Sequence, residues 1–275
     1  SWQDLEQVYL PAAEAGELPI RVAAYVPLKT WRRLAAYIAS EGRAHRNGRL
    51  FLGGTKEFAD GSLGSRTALM WQPYSDAPQQ QQQEQEGSEG GAANGTYGTR
   101  MIDMEQLLEL VRGADAAGLQ VAVHAIGDRA VDDVVAVLTR LQAEVPPPSH
   151  ESGPPQPQTS RWHRIEHVQH IAGPDTAAAL AECAAIGVGN PLHLLTDAGV
   201  MEQRLGQARA GAGRSFAYQT LLREGAYLAF GSDWPVVDLE PLVGVHAAVF
   251  RRPPGVVAED EGGSSGSGGG RQQRQ

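Results

Sequence analysis

Apolar positions along the chain fall into short runs of two kinds, and the two kinds alternate. IRVAAYV (20–26) is a β-rich run, RLFLGGTKEFADG (49–61) is strand-like with glycine breaks, and LQVAVHAIG (119–127) is a nearly continuous apolar strand. WHRIEHVQHI (162–171), IGVGNPLH (186–193) and AYLAFGSD (226–233) read as three further strands. Helical spacing fills the intervals. TWRRLAAYIASEGR (30–43) repeats apolar Trp31, Leu34, Ala35 and Ile38, and 101–117 is a helix stopped at Gly118. DRAVDDVVAVLTRLQ (128–142) sets Val131, Val134, Val135, Leu138 and Leu141 on one face, with Asp128 placed to cap its start. PDTAAALAECAAIG (174–187) carries an early proline and a terminal glycine, and SFAYQTLLREG (215–225) and PLVGVHAAVFRR (241–252) complete the helices.

Strands that are buried without alternating, each followed by a helix, imply a parallel sheet. Six such units fit either a (β/α)₈ barrel lacking two strands or a doubly wound sheet. The G-x-G-x-x-G fingerprint follows none of the strands, which disfavours a dinucleotide-binding fold.

Composition narrows this picture. The chain has 275 residues, of which 33 are Gly and 17 Pro, and these concentrate in three segments. Residues 76–99 (a Gln run, then Gly and Ser), 145–160 (Pro-rich) and 254–275 (ending GGSSGSGGGRQQRQ) hold too few apolar residues to offset their ordering entropy. The expected organisation is one folded unit over 1–253 with two insertions, followed by a disordered tail from 254. A net charge of −9 argues against sequence-independent nucleic-acid binding and against an anionic membrane surface. One cysteine, Cys183 in an Ala-rich helix, excludes a disulfide framework and reads as buried filler. There is no run of 18 apolar residues and the first residues have no signal-peptide pattern, so the default compartment is the cytoplasm.

The candidate chemistry is positional. In a parallel barrel the reacting groups sit at the C-terminal ends of strands. Lys56 and Asp60, His124, His167, His193 and Asp233 all fall near such ends. His163 and His170 flank His167; in one strand 163 and 167 share a face and 170 takes the other. Imidazole and carboxylate without thiolate suit Zn²⁺, Fe²⁺ or Mn²⁺. A divalent metal with an open position lowers the pKa of water to about 7, and a strand-end Asp can both ligate it and shuttle a proton.

At these residues TKEFADGSLGSRTALM (55–70), VAVHAIGDRAVDDVV (121–135), RIEHVQHI (164–171), NPLHLLTD (190–197) and GSDWPV (231–236) resemble, in order, the motifs of amidohydrolase family 3, the metal-dependent hydrolases that include N-substituted formamide deformylase-like enzymes. The resemblance implies a TIM-barrel amidohydrolase of which strands 3 to 8 are present, strands 1 and 2 and the β-sandwich domain being absent. It implies Lys56, His124, His167 and Asp233 as metal ligands, Lys56 as a lysine that such enzymes can carry carboxylated between two metals, Asp233 as catalytic acid or base, and Asp60 and His193 near substrate. Asn190 stands where the family reads Gln, a departure expected to be immaterial to the metal.

The family's strand-1 His-x-His pair has no counterpart here. The implied function is hydrolysis of an amide- or formamide-type C–N bond in a small molecule, with one or two metal ions, zinc first, in the full-length protein. The chain itself is then expected to bind metal weakly and to have reduced or no activity. The alternative is a non-catalytic, truncated amidohydrolase acting as a binding protein, or an incomplete gene product. A G-x-S-x-G match at 262–266 lies in the Gly/Ser tail with no strand before it, so a serine-hydrolase reading is rejected.

Overall fold

The computed structural model of the protein describes residues 1–77, 97–144, 162–183 and 185–256. The low-complexity segments fall mostly outside the described residues, as does the 262–266 match. Six strands, β1 (Val22–Pro27), β2 (Leu50–Phe58), β3 (Gln120–Ala125), β4 (Arg164–His167), β5 (Ile186–Gly189) and β6 (Tyr227–Phe230), form one sheet in the order of the sequence. Every neighbouring pair is parallel.

This order decides between the two architectures. A doubly wound sheet reverses its strand order at a switch point, and here there is no reversal. With right-handed crossovers throughout, every connecting helix returns on the same face. The doubly wound alternative is therefore corrected.

The core lies between that helical layer and the sheet. β3, paired between β2 and β4, is buried from Val121 to Ala125. The helix Met104–Ala116 begins at Asp103, whose carboxylate accepts from the N–H groups of Glu105 and Gln106 at 2.9 and 3.1 Å. It buries Leu107, Leu108, Val111 and Ala114 against the helix Asp128–Glu144, which buries the five expected apolar residues. Each buried Leu and Val among them stabilises the fold by about 1.5–3 kcal/mol. Asp128 is the first helical residue, not the cap outside it. Its carboxylate accepts from Trp71 N at 2.9 Å and so fastens the 61–77 loop to the helix start. Gly127 lets that loop approach, since a Cβ there would lie 2.0 Å from the Leu69 carbonyl.

Three boundaries differ from the sequence reading. β5 stops at Gly189, and Pro191 opens a helix, Pro191–Leu205, that the strand reading of 186–193 missed. Proline at the first helical position loses no hydrogen bond, because that N–H has no intrahelical partner. β4 is only four residues long and ends at His167, which takes a positive φ of 74° together with Val168 at 43°. Asp76 and Tyr97–Thr99, at the margins of the first low-complexity segment, are held in place: Asp76 accepts from Arg66 at 2.9 Å, and Tyr97 O accepts from Met70 N at 2.7 Å.

β1 and β6 are the open edges of the sheet. In β6, Tyr227 and Phe230 are exposed, and so are Leu242, Val245, Val249 and Phe250 of the helix Pro241–Phe250. No helix among the described residues is long and apolar enough to cross a membrane.

Candidate metal centre

The C-terminal tips of β3 to β6 converge. His124 is the second-last residue of β3 and pairs in register with Phe58 and Glu166. His167 ends β4, opposite Ala125. His193 lies in the first turn of the Pro191–Leu205 helix, directly after β5, and Asp233 lies just beyond β6. Asp233 shares the left-handed backbone of His167, with φ 59°. Non-glycine residues in this region cost about 1–3 kcal/mol each and are kept where the surroundings over-determine them.

His167, His193 and Asp233 form a group whose ligand-capable atoms all lie within 4.8 Å of one another. The imidazoles of His167 and His193 stack with centroids 5.8 Å apart and planes 19° apart. His193 Nε2 stands 3.6 Å from Asp233 Oδ2 and is buried with no hydrogen-bond partner. A buried nitrogen left unpaired costs free energy unless something completes its coordination. His167 uses Nδ1 on the Asn190 Oδ1, at 2.8 Å. Asp233 is 42 % exposed where His193 is 9 %, so one side of the group is open to incoming molecules.

Burial dominates the electrostatics. It pulls the His124 pKa down to about 4, with a further push from Lys56 and His193, against the Gly61 hydrogen bond. It pulls His167 down strongly, assisted by the neighbouring His124 and Lys56. His193 is lowered by burial against the opposing pull of Asp233 and Asp197. Imidazoles so depressed are neutral at physiological pH, the form that ligates metal.

The other expected site residues stand around this group rather than in it. The His124 ring meets the His167 ring edge-on at 4.4 Å, but its Nε2 is 2.8 Å from the Gly61 carbonyl. A carbonyl only accepts, so Nε2 carries the proton and is spent there. Lys56 Nζ lies 5.2 Å from the Phe58 ring centroid. Burial lowers its pKa, opposed by the carboxylates of Glu166 and Asp233. Asp60, expected at the substrate, has no exposed side-chain surface. It accepts from the N–H groups of Leu69, Ile126 and Gly127 at 2.8, 3.0 and 2.8 Å, and lies 3.4 Å from His124 Nε2. Burial raises its pKa to about 7 in spite of those three donors.

His163 and His170 take structural roles. His163 precedes β4 and accepts from Val121 N at 3.1 Å. His170 is bonded to Ser215 Oγ at 2.7 Å. The residue that sequence reasoning set aside is Asn190, which reaches both His167 and, at 3.1 Å, the Gly231 carbonyl.

Comparison with known proteins follows the same line. A family model described as "Amidohydrolase family" matches residues 2–265. The chain is 37% identical over 254 residues to Protein LONG AFTER FAR-RED 3 of Arabidopsis thaliana, covering 92% of this chain and 38% of that protein. It is 33% identical over 200 residues to the protein YtcJ of Bacillus subtilis, covering 73% and 32%. The crystal structure of an uncharacterized metal-dependent hydrolase from Pyrococcus horikoshii superposes with a TM-score of 0.68 at 28% identity, over 89% of this chain and 42% of that one. Its counterpart from Pyrococcus furiosus gives 0.67 at 27%, over 89% and 43%. The chain thus spans about two fifths or less of the length of the relatives it matches.

Proposed function

The chain belongs to the amidohydrolase family, and on that premise we propose that His167, His193 and Asp233 hold a divalent metal, zinc first, in a centre for hydrolysing the C–N bond of a small amide or formamide-type molecule. The observation that carries this reading is the buried, unpartnered His193 Nε2 facing Asp233 across 3.6 Å. Two neutral imidazoles and a carboxylate suit Zn²⁺, Mn²⁺ or Fe²⁺. When bound, such an ion polarises a carbonyl oxygen and brings the pKa of water to about 7.

The rest falls to this chain's own side chains. The Asp233 carboxylate, at the open side of the group, accepts the proton of the attacking water and returns it to the departing nitrogen. His167 and His193 hold the ion without having to lose a proton first. His124 and Lys56 flank the group as the residues that would hold a second ion in a full-length protein, His124 once its Nε2 leaves Gly61. Lys56, with its lowered pKa, is the lysine that can be carboxylated in similar enzymes. Asp60 supports His124 and the 61–77 loop from beneath.

In this reading residues 1–253 form six of the eight units of a barrel, with 254–275 a tail. Three clustered donors, one of them exposed, hold a metal weakly, so turnover by the chain is reduced or absent. The test is cobalt and zinc titration of the purified chain by calorimetry, with a panel of N-formyl and N-acetyl amines as substrates. One ion bound per chain is expected, with affinity lost in His193→Ala. No binding of zinc, cobalt, manganese or iron at millimolar concentration, or an unchanged affinity in His193→Ala, overturns the reading.

A further inference from the structure

Asn190 immediately precedes the helix Pro191–Leu205, in the position where an Asn side chain ordinarily caps the helix. It makes no capping hydrogen bond. Its carboxamide is buried and turned inward, between the tips of β4 and β6. The two contacts there fix its orientation. The Gly231 carbonyl can only accept, so the amide nitrogen must be the end that meets it, at 3.1 Å. The amide oxygen is then the end that faces His167, 2.8 Å from Nδ1. An amide oxygen also only accepts, so the proton of this imidazole must reside on Nδ1. Nε2 keeps its lone pair free. One side chain therefore sets which nitrogen of His167 is bare, and ties the same point to the backbone two residues before Asp233.

We propose that Asn190 is a positioning residue of the centre, holding His167 as the Nδ1–H tautomer with Nε2 free to ligate, and fixing the distance between the β4 and β6 tips through Gly231. Ligating histidines generally have the other ring nitrogen bonded in this way, and removing the partner costs 10–100-fold in metal affinity. The proposal rests on the metal reading of the centre for its purpose, but the tautomer itself can be read without any metal.

The experiment is long-range ¹H–¹⁵N correlation spectroscopy of the metal-free, ¹⁵N-labelled chain at neutral pH, with His167 assigned by its loss in His167→Gln. The wild type is expected to show Nδ1 protonated and Nε2 bare. Asn190→Asp keeps the acceptor and is expected to keep that pattern. Asn190→Ala removes it, and the His167 population is expected to move to the Nε2–H form. Cobalt titration of the same samples is expected to give about 10–100-fold weaker binding in Asn190→Ala and a smaller loss in Asn190→Asp, which keeps the acceptor for His167 and loses the bond to Gly231.

A wild-type His167 protonated on Nε2, or an Asn190→Ala spectrum unchanged from wild type, overturns the proposal. If Asn190→Ala does not fold, the wild-type and Asn190→Asp spectra decide alone. A wild type that shows the Nδ1–H form but binds no metal refutes the proposed function and leaves the positioning role standing.

Discussion

Asp60 shows how far one side chain's role depends on what meets it. Read along the chain, it is an acid near the end of a strand, beside a lysine, and it passes for a substrate contact. In the fold its two oxygens collect three backbone N–H groups from two separate loops. Nothing in the sequence around 60 announces that residues 69 and 126–127 will arrive there. Replacing Asp60 by Asn exchanges one acceptor oxygen for an NH₂ facing a backbone donor. Asp60→Asn is expected to cost about 1–3 kcal/mol in urea denaturation and to loosen the 61–77 loop. An unchanged midpoint would remove Asp60 from this role. Asn190 is the converse case. It looked inconsequential in the sequence because its partners, His167 and Gly231, lie 23 and 41 positions away. His124, His167 and Asp233 stood out in the sequence because each falls near the C-terminal end of an apolar, strand-like run.

At the scale of elements, the strands were readable where burial is continuous, as in VAVHAI, and the helices where one apolar face repeats. The misreading at 186–193 came from letting an apolar strand run on through Asn-Pro, where Pro191 was the start signal of a helix. That helix carries Asp197, whose carboxylate accepts from Gln169 at 2.6 Å, and Gln169 in turn lies beside His170. His170 is fully buried and its pKa is held down at about 3, by desolvation and then by Arg209. In the unfolded chain it returns to about 6.5. The folded group is thus the weaker base, so its contribution to stability is present above pH 6.5 and is lost as pH falls towards 3. By pH 5 this amounts to about 2 kcal/mol. His170→Asn is expected to flatten the decline between pH 7 and pH 5 by that much in urea titrations. A parallel decline in both proteins would refute it.

Arg209 holds residues 72–75 as a strap against the end of the helix Pro191–Leu205, donating to the carbonyls of Gln72 and Pro73 at 3.0 and 2.8 Å and to that of Leu205 at 2.7 Å. Arg209→Met is expected to cost about 1.5–3 kcal/mol and to hasten proteolysis near residues 72–75. A cleavage rate equal to wild type would count against the strap.

For the whole molecule, the alternation of strand and helix was enough to predict a parallel sheet, and the sequential strand order then settled on which face the helices lie. What periodicity could not tell is which surfaces remain uncovered. PLVGVHAAVF is apolar on nearly every side, and Leu242 is 81% exposed. Contiguous apolar surface beside an open strand edge promotes association. Leu242→Glu with Val249→Lys is expected to lower concentration-dependent light scattering without changing the circular dichroism spectrum. Equal scattering would show that this face is not sticky.

The sequential winding of β1 to β6 also has a kinetic meaning. Each strand pairs only with the one before and the one after, so strand pairing loosens inward from the two ends of the sheet. Amide protons should then exchange with solvent on a gradient along the sheet, slowest at Val121 and Val123 in β3 and fastest at Tyr227–Phe230 in β6. The rim that carries Asp233 would be the first to breathe, while the seat of His124 stays closed.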